Sequence, residues 1–136
     1  MANARLNMDK ALYDTLNTQT VNEAAPGGVF NTLAPQGTLF PYIIFQLVSK
    51  IDDHTFNGRF AEAVYMVKAV ADSPWPYAAS TIDTAIDTAL EDTSLTVTGY
   101  THLLCRRTSD FDNVEDLNGK IIHHVGGYYR IIADEA

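Results

Sequence analysis

The pair Asn57-Gly58 restricts the possible folds of this chain more than any other feature. Both residues tolerate a positive φ, and an Asn-Gly pair between two apolar runs is the strongest short-range signal for a β-hairpin. Before it stands YIIFQLVSKID, residues 42–52, rich in β-branched and aromatic side chains and read as a strand. Its first half is apolar at nearly every position, as in a strand covered on both faces. After the pair comes RFAEAVYMVKAVAD, residues 59–72, whose signals conflict. Its Ala, Glu, Met and Lys favour a helix, whereas Val64, Tyr65, Val67 and Val70 favour a strand. The turn and the preceding strand decide for a strand, so residues 42–72 form one long hairpin. Alternation in its second arm is too weak to assign inner and outer faces.

The flanking segments divide into two helices and two further strands. Residues 8–17 repeat Met8, Leu12 and Leu16 every fourth position with Ala11 beside them, which predicts a short helix. Asn7 is placed to cap it, and Asp9 sits near its positive end. Residues 18–28 are polar and close on Pro26-Gly27-Gly28. After the short apolar piece Val29-Phe30, Pro35, Gly37 and Pro41 mark a loop.

Residues 73–92 give the clearest helix. Ala78, Ile82, Ala85, Ile86, Ala89 and Leu90 fall on one face, and Asp83, Asp87 and Glu91 fall on a face read as solvated. Ser73 or Asp72 caps this helix, and Trp75 is anchored at its start between two prolines. Residues 95–108 read as a strand broken by Gly99, residues 109–119 as a polar loop, and residues 120–134 as a last strand bent at Gly126-Gly127. The resulting expectation is an α+β fold: a four-stranded, mostly antiparallel sheet with a long β-hairpin, packed by two helices on one face. Residues 1–136 are expected to form a single domain.

Charge and composition narrow the functional classes. Nine Lys+Arg against 17 Asp+Glu give a net charge of −8, while 46% of residues are hydrophobic. A chain so apolar can build a core and is not a disordered acidic tail. Phosphates are repelled by this charge, so nucleic-acid binding is not expected. The one adjacent basic pair, Arg106-Arg107, is followed at once by Asp110 and Asp112 and reads as a mixed-charge loop. No apolar run approaches the roughly 20 residues of a membrane-spanning helix. An acidic soluble protein of the cytosol is the resulting expectation.

Chemistry finds little support. Cys105 is the single cysteine, so it forms no internal disulfide, and in the run Leu103-Leu104-Cys105 it reads as a small core residue. The histidines are His54, His102, His123 and His124. Simple alternation sets His102 and Cys105 on opposite faces of a strand, and His123 and His124 likewise. Residues 110–116 are acidic but lack the spacing and turn glycine of a calcium loop. No catalytic, cofactor-binding or metal site is predicted. A small enzyme or ligand-binding domain using His102, Cys105 and His123 is the alternative of a different class. It requires those three side chains to converge in a cleft.

A resemblance carries the reading further. The phrase ALYDTL is followed by Val29-Phe30, then Ala34-Pro35-Gln36-Gly37 with Pro41-Tyr42 and Gln46. After the long hairpin come the helix AxxxIDTAIDTAL and the closing HxVxxYYRIIAD. This order resembles the tail-completion or tail-terminator proteins of long-tailed bacteriophages over roughly residues 8–134. The resemblance implies a virion structural protein and no enzyme. Such a protein forms a homohexamer ring on the head-proximal end of the tail tube, ends tube polymerisation and joins the tail to the neck proteins of the head. DNA passes through the lumen, and assembly takes place in the host cytoplasm. The implied partners are other copies of the chain, the tail tube protein and a neck or head-completion protein. A neck or stopper connector on the portal side is the nearer alternative. The residues expected to make subunit or tube contacts are Asp53, His54, Phe56 and Arg59 at the hairpin tip, and Arg106, Arg107, Asp110 and Asp112 in the charged loop. Phe56 is the most informative of these, since a hairpin tip otherwise meets water.

Overall fold

The computed structural model describes residues 4–55, 58–91 and 100–135. Among them the elements run α1 (Ala4–Leu16), α2 (Gln19–Ala24), β1 (Val29–Asn31), β2 (Tyr42–Thr55), β3 (Gly58–Ala71), α3 (Tyr77–Leu90), β4 (Tyr100–Leu117) and β5 (Lys120–Glu135). The strands form one sheet in the order β1-β2-β3-β5-β4. β1 runs parallel to β2, and every other neighbouring pair is antiparallel. The fold is α+β as expected, but the sheet is five-stranded and mixed, with three helices rather than two. Two short elements make the difference. β1 has three residues, too few for alternation to reveal. α2 has six, and its one sequence signal is the Thr18 cap, whose hydroxyl accepts from the Val21 N–H at 3.4 Å.

The long hairpin is present, with Thr55 paired to Gly58 across its tip. Phe56 and Asn57 lie outside the described residues. β3 settles the faces that its sequence left open. Ala63, Tyr65, Val67, Ala69 and Ala71 are buried, and the intervening Glu62, Val64, Met66 and Lys68 are half-buried. The buried set faces the helices. Met8, Leu12 and Leu16 of α1 join Ile82, Ile86 and Leu90 of α3 in one core with Phe45, Tyr65, Tyr129 and Ile131. The fourfold spacing of the α1 and α3 residues puts each set on one helical face, as read.

The largest correction falls on residues 109–119, which are not a loop. β4 continues to Leu117, and Asn118 (φ 53) and Gly119 (φ 84) turn the chain directly into β5. The chemistry is the same as at Asn57-Gly58. It is concealed because β4 is an outer strand among the described residues and its residues 112–117 are exposed on both faces, so no apolar alternation is needed.

Three local expectations also change. α1 begins at Ala4, so Asn7 is within the helix and does not cap it. The N-cap of α3 is Pro76, which makes no side-chain cap bond, in place of Ser73 or Asp72. Trp75 is 66% exposed rather than anchored.

One buried hydroxyl ties the layers together. Tyr65, fully buried, donates to Asp9 Oδ1 at 2.5 Å, and Asp9 Oδ2 accepts from Asn31 Nδ2 at 3.1 Å. These two bonds join β3, α1 and β1. Tyr65→Phe should therefore lower the unfolding free energy by about 1.5 kcal/mol, the worth of a hydrogen bond to a charged acceptor. A urea-denaturation midpoint equal to that of the wild type would contradict this.

Candidate functional site

Asp83, Asp87 and Glu91 stand four residues apart on or just after α3 and so share one face. That face was expected to meet water. It instead meets β4 and β5, and Arg107 fills the gap. The Arg107 guanidinium binds Asp83 through both terminal nitrogens, Nη1 to Oδ1 at 2.9 Å and Nη2 to Oδ2 at 3.0 Å. Nη1 also donates to the Tyr129 hydroxyl at 3.3 Å, Nη2 to the Gly126 carbonyl at 2.8 Å, and Nε to Asp110 Oδ1 at 2.9 Å. All five guanidinium donors are thereby used. The Arg107 backbone N–H donates to Glu91 Oε2 at 2.6 Å, and Tyr129 donates onward to Asp87 Oδ1 at 3.0 Å.

The electrostatics suit a permanent clamp. Both the Arg107 and the Asp83 side chains are only 15% exposed. Burial disfavours the Arg107 cation, but the bonds to Asp83 and Tyr129 outweigh it and hold the guanidinium above its ordinary pKa. Burial raises the Tyr129 phenol. Arg107 pulls it down and Asp87 pushes it up, and the net result is a neutral donor.

Space for the clamp comes from β5. A Cβ on Gly127 would overlap Nε and Cζ of Arg107, and one on Gly126 would overlap the backbone of Val67 and Lys68. The irregularity expected at the glycine pair lies across from it. β5 pairs with β3 without a shift, while the β4 register slips between Arg107 and Ser109, leaving Thr108 as a bulge residue. An open depression of about 420 Å³ remains beside the clamp, lined by Asp87, Glu91, Arg107, Thr108, Ser109 and Asp110.

Beyond the clamp the sheet presents two long edges. Among the described residues β4 is an outer strand, paired with β5 alone. β1 covers β2 at Ile43, Ile44 and Phe45 alone, so β2 from Gln46 onward has no strand on its outer side among the described residues. The register of β2 also breaks between Leu47 and Ser49, and Val48 is exposed there.

The eight expected contact residues fall into two groups at different parts of the sheet. Asp53 opposes Phe60, and His54 opposes Arg59, in the last turns of the β2–β3 hairpin; Phe56 is outside the described residues. Arg106, Arg107, Asp110 and Asp112 lie on the outer strand β4 rather than in a loop. Arg106, Asp110 and Asp112 are exposed there, whereas Arg107 is turned inward. The reading missed the Arg107 partners Asp83, Asp87, Glu91 and Tyr129. The available signal was an acidic stripe at i, i+4 and i+8 in a chain with one adjacent basic pair.

The strand register keeps the positions required by the enzyme alternative apart along β5. His102 opposes Ala133, Cys105 opposes Ile131, and His123 opposes Val114 and Ala71. The ten β5 positions between His123 and Ala133 span roughly 33 Å. A register shift between His102 and Leu104 also interrupts the simple alternation expected from His102 to Cys105. His123 and His124 do fall on opposite faces: His123 approaches the Pro74 carbonyl at 3.4 Å, and His124 Nε2 lies 2.9 Å from Glu115 Oε1. Among the described residues no cluster of His, Cys, Asp and Glu could hold a metal ion.

Comparison with known proteins agrees with a structural role. A chain of the virion of a native gene transfer agent particle has the same fold, with a TM-score of 0.73 and 12% identity, covering 98% of this chain and 99% of that one. A second solved structure matches with a TM-score of 0.50 and 15% identity, over 93% of this chain and 92% of the other. No curated protein matches the chain. The model of the family described as tail completion protein gp17 matches residues 10–128, nearly the whole sequence. The chain therefore belongs to the tail completion protein gp17 family: it is a structural protein of the virion tail and not an enzyme.

Proposed function

We propose that this protein closes the head-proximal end of a phage tail tube as a ring, stops tube growth and joins the tail to the neck. The observation that carries the ring is the pair of open sheet edges. Each neighbouring pair from β2 through β3 and β5 to β4 is antiparallel, so β4 and the stretch of β2 that β1 leaves uncovered, from Gln46 onward, run in opposite directions. Laying the β4 edge of one copy beside the β2 edge of the next continues the antiparallel pattern and leaves one edge of each kind available. Such a head-to-tail contact repeats with one rotation and closes into a ring when that rotation divides a full turn. A homohexamer is the proposed stoichiometry.

The other parts of the reading follow from charge and position. A net charge of −8 makes a lumen that repels phosphates, so DNA passes without being held. Arg106, Asp110 and Asp112 on the β4 edge, with Asp53, His54 and Arg59 near the hairpin tip, are the proposed subunit or tube contacts, as is Phe56 at the tip itself.

Native mass spectrometry and negative-stain electron microscopy test this directly. A holed disc is expected, alone or on the ends of tail tubes. A monomer that persists with tube protein present would defeat the ring. Preference for isolated heads over isolated tubes would favour a neck connector.

A further inference from the structure

One end of the sheet gathers apolar side chains from three separate segments. The chain before β2, the β3–α3 turn and the β4–β5 arm all lie there, because Tyr42 pairs with Val70, Ala71 pairs with His123, and β4 turns into β5 just beyond. Leu39 comes from the first, Trp75 and Tyr77 from the second, and Val114, Leu117 and Ile121 from the arm, where Val114 and Ile121 share one face and Leu117 stands on the other beside Lys120; all six are exposed. Lys120 binds the segments together. Its ammonium lies 3.2 Å from Asp72 Oδ2 and 4.9 Å from the centre of the Phe40 ring. Monomeric soluble proteins rarely expose so many large apolar groups together.

The charge around this end selects its occupant. Asp72, Asp112, Glu115 and Asp116 belong to these segments; Lys120 offsets Asp72 and Glu115 meets His124, and the end still carries more carboxylates than lysines. A second copy meeting it with the same end would bring like charges together. Nor do the described residues offer a basic cluster free of carboxylates: Arg106 and Arg130 oppose each other across β4 and β5, but Arg106 lies 3.9 Å from Glu91. Of the adjacent pair Arg106-Arg107, Arg107 is bound internally to Asp83 and Asp110, and Arg130 is bound to Glu62. An acidic rim around an apolar centre fits a different protein whose contact surface has apolar pockets bordered by lysine and arginine.

We propose that this end, formed by Leu39, Trp75, Tyr77, Val114, Leu117 and Ile121, is the docking face for such a basic-rimmed virion protein and not a contact between copies. It rests on the ring reading in one respect. If copies join through their sheet edges, the strand ends point along the ring axis, where another protein lies.

The test is the double variant Leu117→Asp/Ile121→Asp, placed on the solvated arm so that the core is untouched. A second variant, Trp75→Ala/Tyr77→Ala, probes the neighbouring turn. Each is compared with the wild type for oligomeric state by native mass spectrometry, and for binding to purified tail tubes and to purified tailless heads. Both variants should keep the wild-type oligomer and lose roughly 30-fold or more in affinity for one of the two particles, the effect of removing central anchors. Wild-type binding to that particle should weaken as salt rises. Unchanged binding to both particles, salt-independent binding, or loss of the oligomer in the variants would each overturn the proposal. Wild-type protein that forms no ring would defeat the ring reading alone, provided it still binds a particle and the variants do not. Wild-type protein that binds neither particle would defeat both.

Discussion

Arg107→Ala should lower the unfolding free energy by about 3 kcal/mol and the melting temperature by roughly 10 °C. The reason lies in what the guanidinium leaves behind. Asp83, as little exposed as Arg107 itself, would hold a charge with no counter-ion, and the Gly126 carbonyl and the Tyr129 hydroxyl would each lose a donor. Stranding one member of a largely buried pair costs far more than the intact pair is worth. Arg107→Lys should recover only part of the loss, because an ammonium carries the charge but cannot bind both Asp83 oxygens and the Gly126 carbonyl in one plane. Adding Asp83→Ala to Arg107→Ala should cost little further, since the unpaired charge is then gone. Thermal and urea melts of these proteins together with the single variant Asp83→Ala measure this. Equal and additive losses would show that Arg107 and Asp83 act independently.

Alanine at the glycine pair should cost nearly as much, and for two different reasons. Gly126→Ala drives a methyl group into the backbone of Val67 and Lys68, which cannot move without parting β3 from β5. A loss of about 3 kcal/mol is expected, at the upper end for overpacking. Gly127→Ala meets mainly the Arg107 side chain. Its effect should therefore come largely from expelling the guanidinium, and it should shrink when Arg107 is already alanine. Gly126→Ala should cost the same in either background. Chemical denaturation of both double variants separates the cases; equal coupling at the two positions would refute the assignment.

The sequence showed most where a turn or a period forced a single answer. Asn57-Gly58 identified the long hairpin, and Met8, Leu12 and Leu16, with Ile82, Ile86 and Leu90, identified the buried faces of two helices. It showed least where tertiary neighbours decide. Asp83, Asp87 and Glu91 look like solvent-facing residues until β4 is placed beside them, because a local pattern does not reveal an arginine coming from another strand. β1 is held by pairing with β2 rather than by any preference of Val29-Phe30-Asn31. Asn118-Gly119 carries the correct turn signal, but a strand is recognised in sequence by apolar alternation, and Asp110–Leu117 shows almost none. The contact surfaces were the least legible part. Exposed strand edges and a shared apolar end exist only once the strand order is known.

The β4–β5 arm beyond the Ala71–His123 pair answers to no other strand. It can therefore be lengthened at its turn without breaking a pairing beneath it, whereas shortening it would take away Lys120 and its contacts with Asp72 and Phe40. Adding two residues to each of its strands would keep every existing side chain on its own face and extend the reach by about 7 Å. A tail protein confronting a wider gap could be refitted by extending this one hairpin, with the body of the molecule left as it stands.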